Sequence, residues 1–193
     1  QELLRRTLEG IRSVKEEQCS ELNGGQPMES RSVSPLPTSR GVQITLTVIG
    51  NSPQSPWLKT GLRADDALLI SRPLGTGVLF AGAMSGATKA ADLDAALKYM
   101  VSSQHTLLRQ LEPVRGDIHA CTDITGFGLL GHLGEMLENS PELIVQLDGS
   151  AIPAYRGGLK LFDRGISSTL APSNRAAWRW LEGRVQLKHQ ACQ

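Results

Sequence analysis

Long apolar runs are missing from this chain: no stretch approaches the roughly 18 residues that a membrane-crossing helix requires. The N-terminus also lacks the short apolar core of a secretory signal and reads as a charged helix. An excess of one charge is missing too. The net charge of +1 gives no electrostatic ground for binding nucleic acid or an anionic membrane. Aromatic residues make up 4%, too few for a base-stacking surface. Cysteine is scarce and odd in number. Cys19, Cys121 and Cys192 lie far apart, with the spacing of neither a disulfide framework nor a Cys-x-x-Cys zinc pair. That usage points to a reducing, cytoplasmic setting. What remains is an ordinary globular composition, 40% hydrophobic and 20% charged, in 193 residues that can form one large domain or two small ones.

The most informative stretch is residues 119–135. Residues 118–121 can end a strand. Thr122, Asp123 and Thr125 then place three oxygen-bearing side chains within four residues, and Gly126 and Gly128 free the backbone behind them. Leu129, Leu130, Leu133, Met136 and Leu137 recur at helical spacing, which predicts a helix beginning near Phe127. A strand, a glycine turn and a helix N-terminus form a place for an anion, because the first helical amides have no partners and the macrodipole is positive there. Asp123 would repel that anion unless a hard cation such as Mg²⁺ lay between them. The plainer alternative is that Asp123 caps the helix and the glycines only permit a tight connection.

The run Thr122-Asp123-Ile124-Thr125-Gly126-Phe127-Gly128-Leu129-Leu130-Gly131-His132-Leu133 resembles the signature of selenophosphate synthetase (selenide, water dikinase), within the aminoimidazole-ribonucleotide synthetase superfamily. Residues 66–79, with Arg72-Pro73-Leu74-Gly75-Thr76-Gly77, are similar to that family's strand followed by Lys-Pro-Leu-Gly-Thr-Gly. The resemblance covers roughly residues 1–175. It implies an α+β fold, a mixed and mostly antiparallel sheet with packed helices. It also implies ATP as substrate, Mg²⁺ held by Asp123, and nucleotide contact by Gly25 and Gln26, where a Gly-Gly-His/Gln-Thr/Ser turn is expected. Pro27 departs from that turn by replacing the hydroxyl residue and removing a backbone donor.

Taken in order, residues 2–18 place Leu3, Leu4, Leu8, Ile11 and Val14 on one stripe of an amphipathic helix. Residues 19–23 read as a short strand and 30–40 as a Ser/Pro-rich loop. Val42, Ile44, Leu46 and Val48 alternate with polar residues as in a half-buried strand. Residues 51–56 hold two prolines and two serines and read as a linker. The expected domains are therefore 1–50, the tail of an N-terminal ATP-binding domain, and 57–193, a C-terminal domain incomplete at its end. Within the second, residues 67–71 read as a strand, 74–77 as a flexible turn and 78–86 as a small apolar segment. A long helix is expected over 92–112, stopped by Pro113, with His105 near its apolar edge. Residues 142–147 read as a strand and 152–162 as a helix ended by Gly165. Ser173 or Asn174 can cap a last helix carrying Trp178 and Trp180.

His119, Cys121 and Asp123 also invite a transition-metal site, although the resembled family uses an aspartate for Mg²⁺ here and no zinc. His132, between Leu130 and Leu133, reads as structural. No Ser-His-Asp or Cys-His order suggests a nucleophilic site. The family's reactive Cys or selenocysteine and its nearby Lys have no counterpart in these residues, so the chain reads as an internal piece with no catalytic residue of its own, expected to be inactive alone. The implied reaction converts ATP, selenide and water to selenophosphate, AMP and phosphate, in a cytoplasmic homodimer. Two other readings stand beside it: a non-catalytic binding or structural remnant, and a sister ATP-dependent synthetase that phosphorylates an amide or carboxylate oxygen.

Overall fold

The computed structural model describes residues 2–17, 47, 49–51 and 54–177. Two compact units divide the chain: Gln1–Pro56 with Ser103–Gln110, and Trp57–Ser102 with Leu111–Gln193. In the first, α1 (Glu2–Glu17) follows the expected amphipathic pattern. Glu2 pairs with Arg5 and Arg6, and Arg5 with Glu9, one turn apart on an exposed face. Such pairs support a helix locally without holding it to anything else.

The second unit is built on α2 (Thr76–Met84), α3 (Ala90–Val101), α5 (Gly128–Leu137), α6 (Gly158–Asp163) and α7 (Ala171–Ala177), while all but the last residue of α4 (His105–Leu111) belongs to the first unit. Helix α2 packs on α3 and α6, and α5 packs on α7. Leu79, Ala96, Tyr155 and Leu161 form the core, with Val78, Ala87 and Ile166 against them. Leu79 is fully buried. Gly82 lets α2 approach its neighbours: a Cβ there would stand 2.4 Å from Thr88 Oγ1 and 3.1 Å from Leu161 Cδ1. Thr88 Oγ1 in turn donates to the Leu79 carbonyl at 2.7 Å, tying the loop after α2 back to the helix.

The expected α+β sheet is absent among the described residues. Among the described residues no strand forms, and the only strand-type pairing is one parallel bridge between Leu74 and Ala154. Its two bonds, Leu74 N to the Pro153 carbonyl and Tyr155 N to the Leu74 carbonyl, join the segment before α2 to the segment before α6. The physical reason is that a short apolar run reports only local extension, whereas a strand needs a ladder of bonds from a partner. Residues 67–71 and 142–147 form no such ladder among the described residues, and Leu69 and Ile144 are 88% and 94% exposed. Residues 19–23, and all but one residue of the alternating run 42–48, lie outside the described residues.

Three helical stretches also differ from expectation. The run 92–112 is broken, because Ser102 adopts an extended conformation after α3. Ser102 Oγ donates to the Tyr99 carbonyl at 2.8 Å, and Ser103 Oγ accepts the His105 amide at 3.1 Å, so two serine side chains close one helix and open the next. Residues 76–84, read as a turn and an apolar segment, form α2, which starts from Gly75 at φ 111°. Gly165, at φ 80°, ends α6 as expected. That helix starts only at Gly158. The tryptophans at 178 and 180 lie outside the described residues.

Candidate functional site

Asp123 sits on the segment that leads into α5. It is exposed, and among the described residues no side-chain hydrogen bond or ion pair engages its carboxylate. Downstream, Gly128 N donates to the Thr125 carbonyl at 3.1 Å, closing a turn over Gly126 and Phe127. Gly128 has φ 72°, a left-handed conformation that a side chain would oppose. The residue before α5 is Phe127, and no side chain caps the helix. Asp123 is therefore not the helix cap, and among the described residues no side chain accepts the first amides of α5.

The turn is held from behind. Thr125 donates its backbone amide to His132 Nε2 at 3.1 Å, and Thr125 Oγ1 lies at the same distance from that nitrogen. His132 is buried in α5, 4% exposed, with its ring against Phe127 at 5.6 Å. Its Nδ1 is 3.1 Å from Glu135 Oε2, which also receives Lys59 Nζ at 3.0 Å. Lys59 first, and His132 second, hold the Glu135 carboxyl below its usual range. From the other side Asn174 Nδ2 donates to the Gly126 carbonyl at 2.8 Å, and Leu170 packs where a Gly126 Cβ would stand.

Upstream, His119 does not join Cys121 and Asp123 in a metal site. Its Nδ1 pairs with Asp66 Oδ1 at 2.7 Å, while Asp66 Oδ2 accepts the Arg63 amide at 2.8 Å. The Arg63 amide, and after it the His119 ring, hold the Asp66 carboxyl below the usual carboxylate range. Cys121 N donates to the Leu58 carbonyl at 2.8 Å, so residues 58–66 clasp residues 119–121. Among the described residues no three His, Cys, Asp or Glu side chains gather as a metal site. Asp123 stands as a single carboxylate. That suits Mg²⁺, which commonly takes one or two carboxylates and draws its other ligands from phosphate and water.

Gly25 and Gln26 lie outside the described residues. The sequence reading missed Asp66 as the partner of His119 and gave His132 no role beyond packing. The available signal for His132 was Glu135 one turn on and Thr125 two turns back across the glycine turn.

The family described as AIR synthase related protein, C-terminal domain, matches residues 63–169. Among similar proteins, a selenide, water dikinase of Bdellovibrio bacteriovorus is 33% identical over 123 residues, covering 64% of this chain and 35% of that protein. One from Desulfitobacterium hafniense is 38% identical over 143 residues, 73% of this chain and 40% of that protein. One from Pseudomonas straminea is 29% identical over 180 residues, 92% of this chain and 46% of that protein. The chain thus spans less than half the length of these curated relatives. No solved structure matches it.

Proposed function

Because the chain belongs to the family of AIR synthase related proteins, matched through their C-terminal domain, we propose that it serves ATP-dependent phosphoryl transfer to selenide, giving selenophosphate, AMP and phosphate. The observation that carries this reading is Asp123: an exposed carboxylate with no side-chain partner among the described residues, five residues before an uncapped helix, inside the run that resembles the dikinase signature. Relatives that bear the name selenide, water dikinase support it.

On this reading Asp123 would supply one ligand to Mg²⁺, which when bound would offset the negative charge on the phosphates. The chain's own residues then hold and orient. The N-terminus of α5 offers an anion amides that no side chain accepts among the described residues. The Asp66–His119 and Thr125–His132 contacts fix the two ends of the segment that carries Asp123. Gly25 and Gln26 contact the nucleotide in the same proposal, residues 1–50 belong to an ATP-binding domain, and 57–193 form the C-terminal domain. The protein acts as a cytoplasmic homodimer. No helix among the described residues is long and apolar enough to cross a membrane.

The experiment is product analysis on the whole protein with ATP, selenide and Mg²⁺, followed by phosphorus NMR. Selenophosphate and AMP appearing together are expected. ADP as the only nucleotide product would overturn the dikinase reading in favour of a sister synthetase, since a single transfer of the terminal phosphoryl group leaves ADP.

A further inference from the structure

We propose that His132 is a positioning residue: it holds the turn that carries Asp123 by keeping its ring in the Nδ1–H tautomer and taking the Thr125 amide on Nε2. The inference rests on the reading of Asp123 as a Mg²⁺ ligand, and goes beyond it by assigning the turn's geometry to one buried ring.

The tautomer follows from the partners. A backbone N–H can only donate, so Nε2, 3.1 Å from Thr125 N, presents its lone pair. The single ring proton is then on Nδ1, facing Glu135 Oε2 at 3.1 Å. Glu135 stays a carboxylate because Lys59 lies 3.0 Å from the same oxygen. Thr125 N therefore donates to His132, and His132 to Glu135, whose carboxylate also accepts from Lys59; Thr125 Oγ1 lies 3.1 Å from the same Nε2. A helical side chain leans toward the N-terminus of its helix, which brings the His132 ring back to the turn before α5. An imidazole that only filled space would need no such order. A leucine there would fill similar space and leave the Thr125 amide with no acceptor from this position.

The consequence reaches Asp123 along the backbone. Thr125 is two residues from Asp123, and residues 119–121 are fixed separately by Asp66 and Leu58. With the segment pinned at both ends, the carboxylate between them has little freedom to turn away. Releasing the Thr125 end loosens it.

The experiment uses the full chain, with Mn²⁺ as the probe. Long-range nitrogen–proton correlation NMR of His132 reads the tautomer in the unmutated protein, so this arm needs no variant to fold. Hydrogen exchange of the Thr125 amide and Mn²⁺ broadening of the amides near Asp123 are then compared in His132→Leu, His132→Gln and Asp123→Asn. The expected results are a protonated Nδ1 with a bare Nε2, and faster Thr125 exchange in His132→Leu. Mn²⁺ binding in that variant should weaken about tenfold, the low end for losing an outer-shell partner. His132→Gln, whose side-chain oxygen can accept the same amide, should restore both. A proton on Nε2, or unchanged Thr125 exchange in His132→Leu, overturns the positioning role. Broadening in Asp123→Asn equal to the unmutated protein overturns the metal reading instead, and the tautomer and exchange results separate that failure from the first.

Discussion

The Thr125 backbone amide and His132 Nε2 are 3.1 Å apart, a contact spanning seven residues that joins the glycine turn to the helix it precedes. With the Asp66–His119 pair at the other end, it brackets Asp123 between two imidazole contacts. These two histidines are tied to structure, and that leaves the aspartate as the group facing outward.

The Asp66–His119 pair predicts an acid-side instability. Asp66 has its carboxyl lowered by the Arg63 amide and by His119. A carboxyl lowered in the folded state stabilises the protein above its unfolded pKa, near 3.9, and that contribution is lost as pH falls through the lower folded value. Thermal unfolding from neutral pH down to about pH 3 should therefore fall less steeply in Asp66→Asn, below the usual carboxylate range. Parallel curves for the two proteins would contradict the pairing.

Gly61 and Gly128 both have positive φ, but only one is also crowded. A Cβ at Gly61 would lie 2.7 Å from the His119 carbonyl, which is backbone and cannot swing away, whereas at Gly128 the nearest atom is 3.7 Å off. Gly128→Ala should cost the left-handed penalty, about 1–2 kcal/mol, and Gly61→Ala distinctly more. Denaturant midpoints measure both, and the reverse order would contradict the placement of residue 61 against 119.

Leu79 is fully buried at the centre of the α2, α3 and α6 packing. Leu79→Ala should destabilise by about 2–5 kcal/mol. A loss below about 1 kcal/mol in chemical denaturation would place the core elsewhere.

Legibility followed locality. Helix α1 and the start of α5 could be read because their apolar residues recur at helical intervals. Helix α2 could not: Val78, Leu79, Phe80 and Ala81 are apolar all round, so the sequence carries no period, and the Gly75-Thr76-Gly77 run reads as a turn. The break at Ser102 depends on two serine hydroxyls choosing backbone partners, a choice that propensity does not contain. The strand readings at 67–71 and 142–147 failed for a different reason. Ala67 to Ser71 and Glu142 to Leu147 look like strands locally, but pairing is a property of two segments and not of one. At the site, the stretch around Asp123 stood out through its oxygen-rich, glycine-rich pattern. The partnership of His119 with Asp66, 53 residues apart, had no local signal.

The most direct test of the central claim is Asp123→Asn, assayed in the whole protein for selenide-dependent AMP formation, with the melting temperature measured in parallel. Asn keeps the size of the side chain and removes the charge that a Mg²⁺ ligand needs. Because Asp123 neither caps α5 nor carries a side-chain bond among the described residues, the melting temperature should not move. Activity should fall by orders of magnitude. A variant that melts as before and retains full activity would contradict the assignment of Asp123 as the metal ligand.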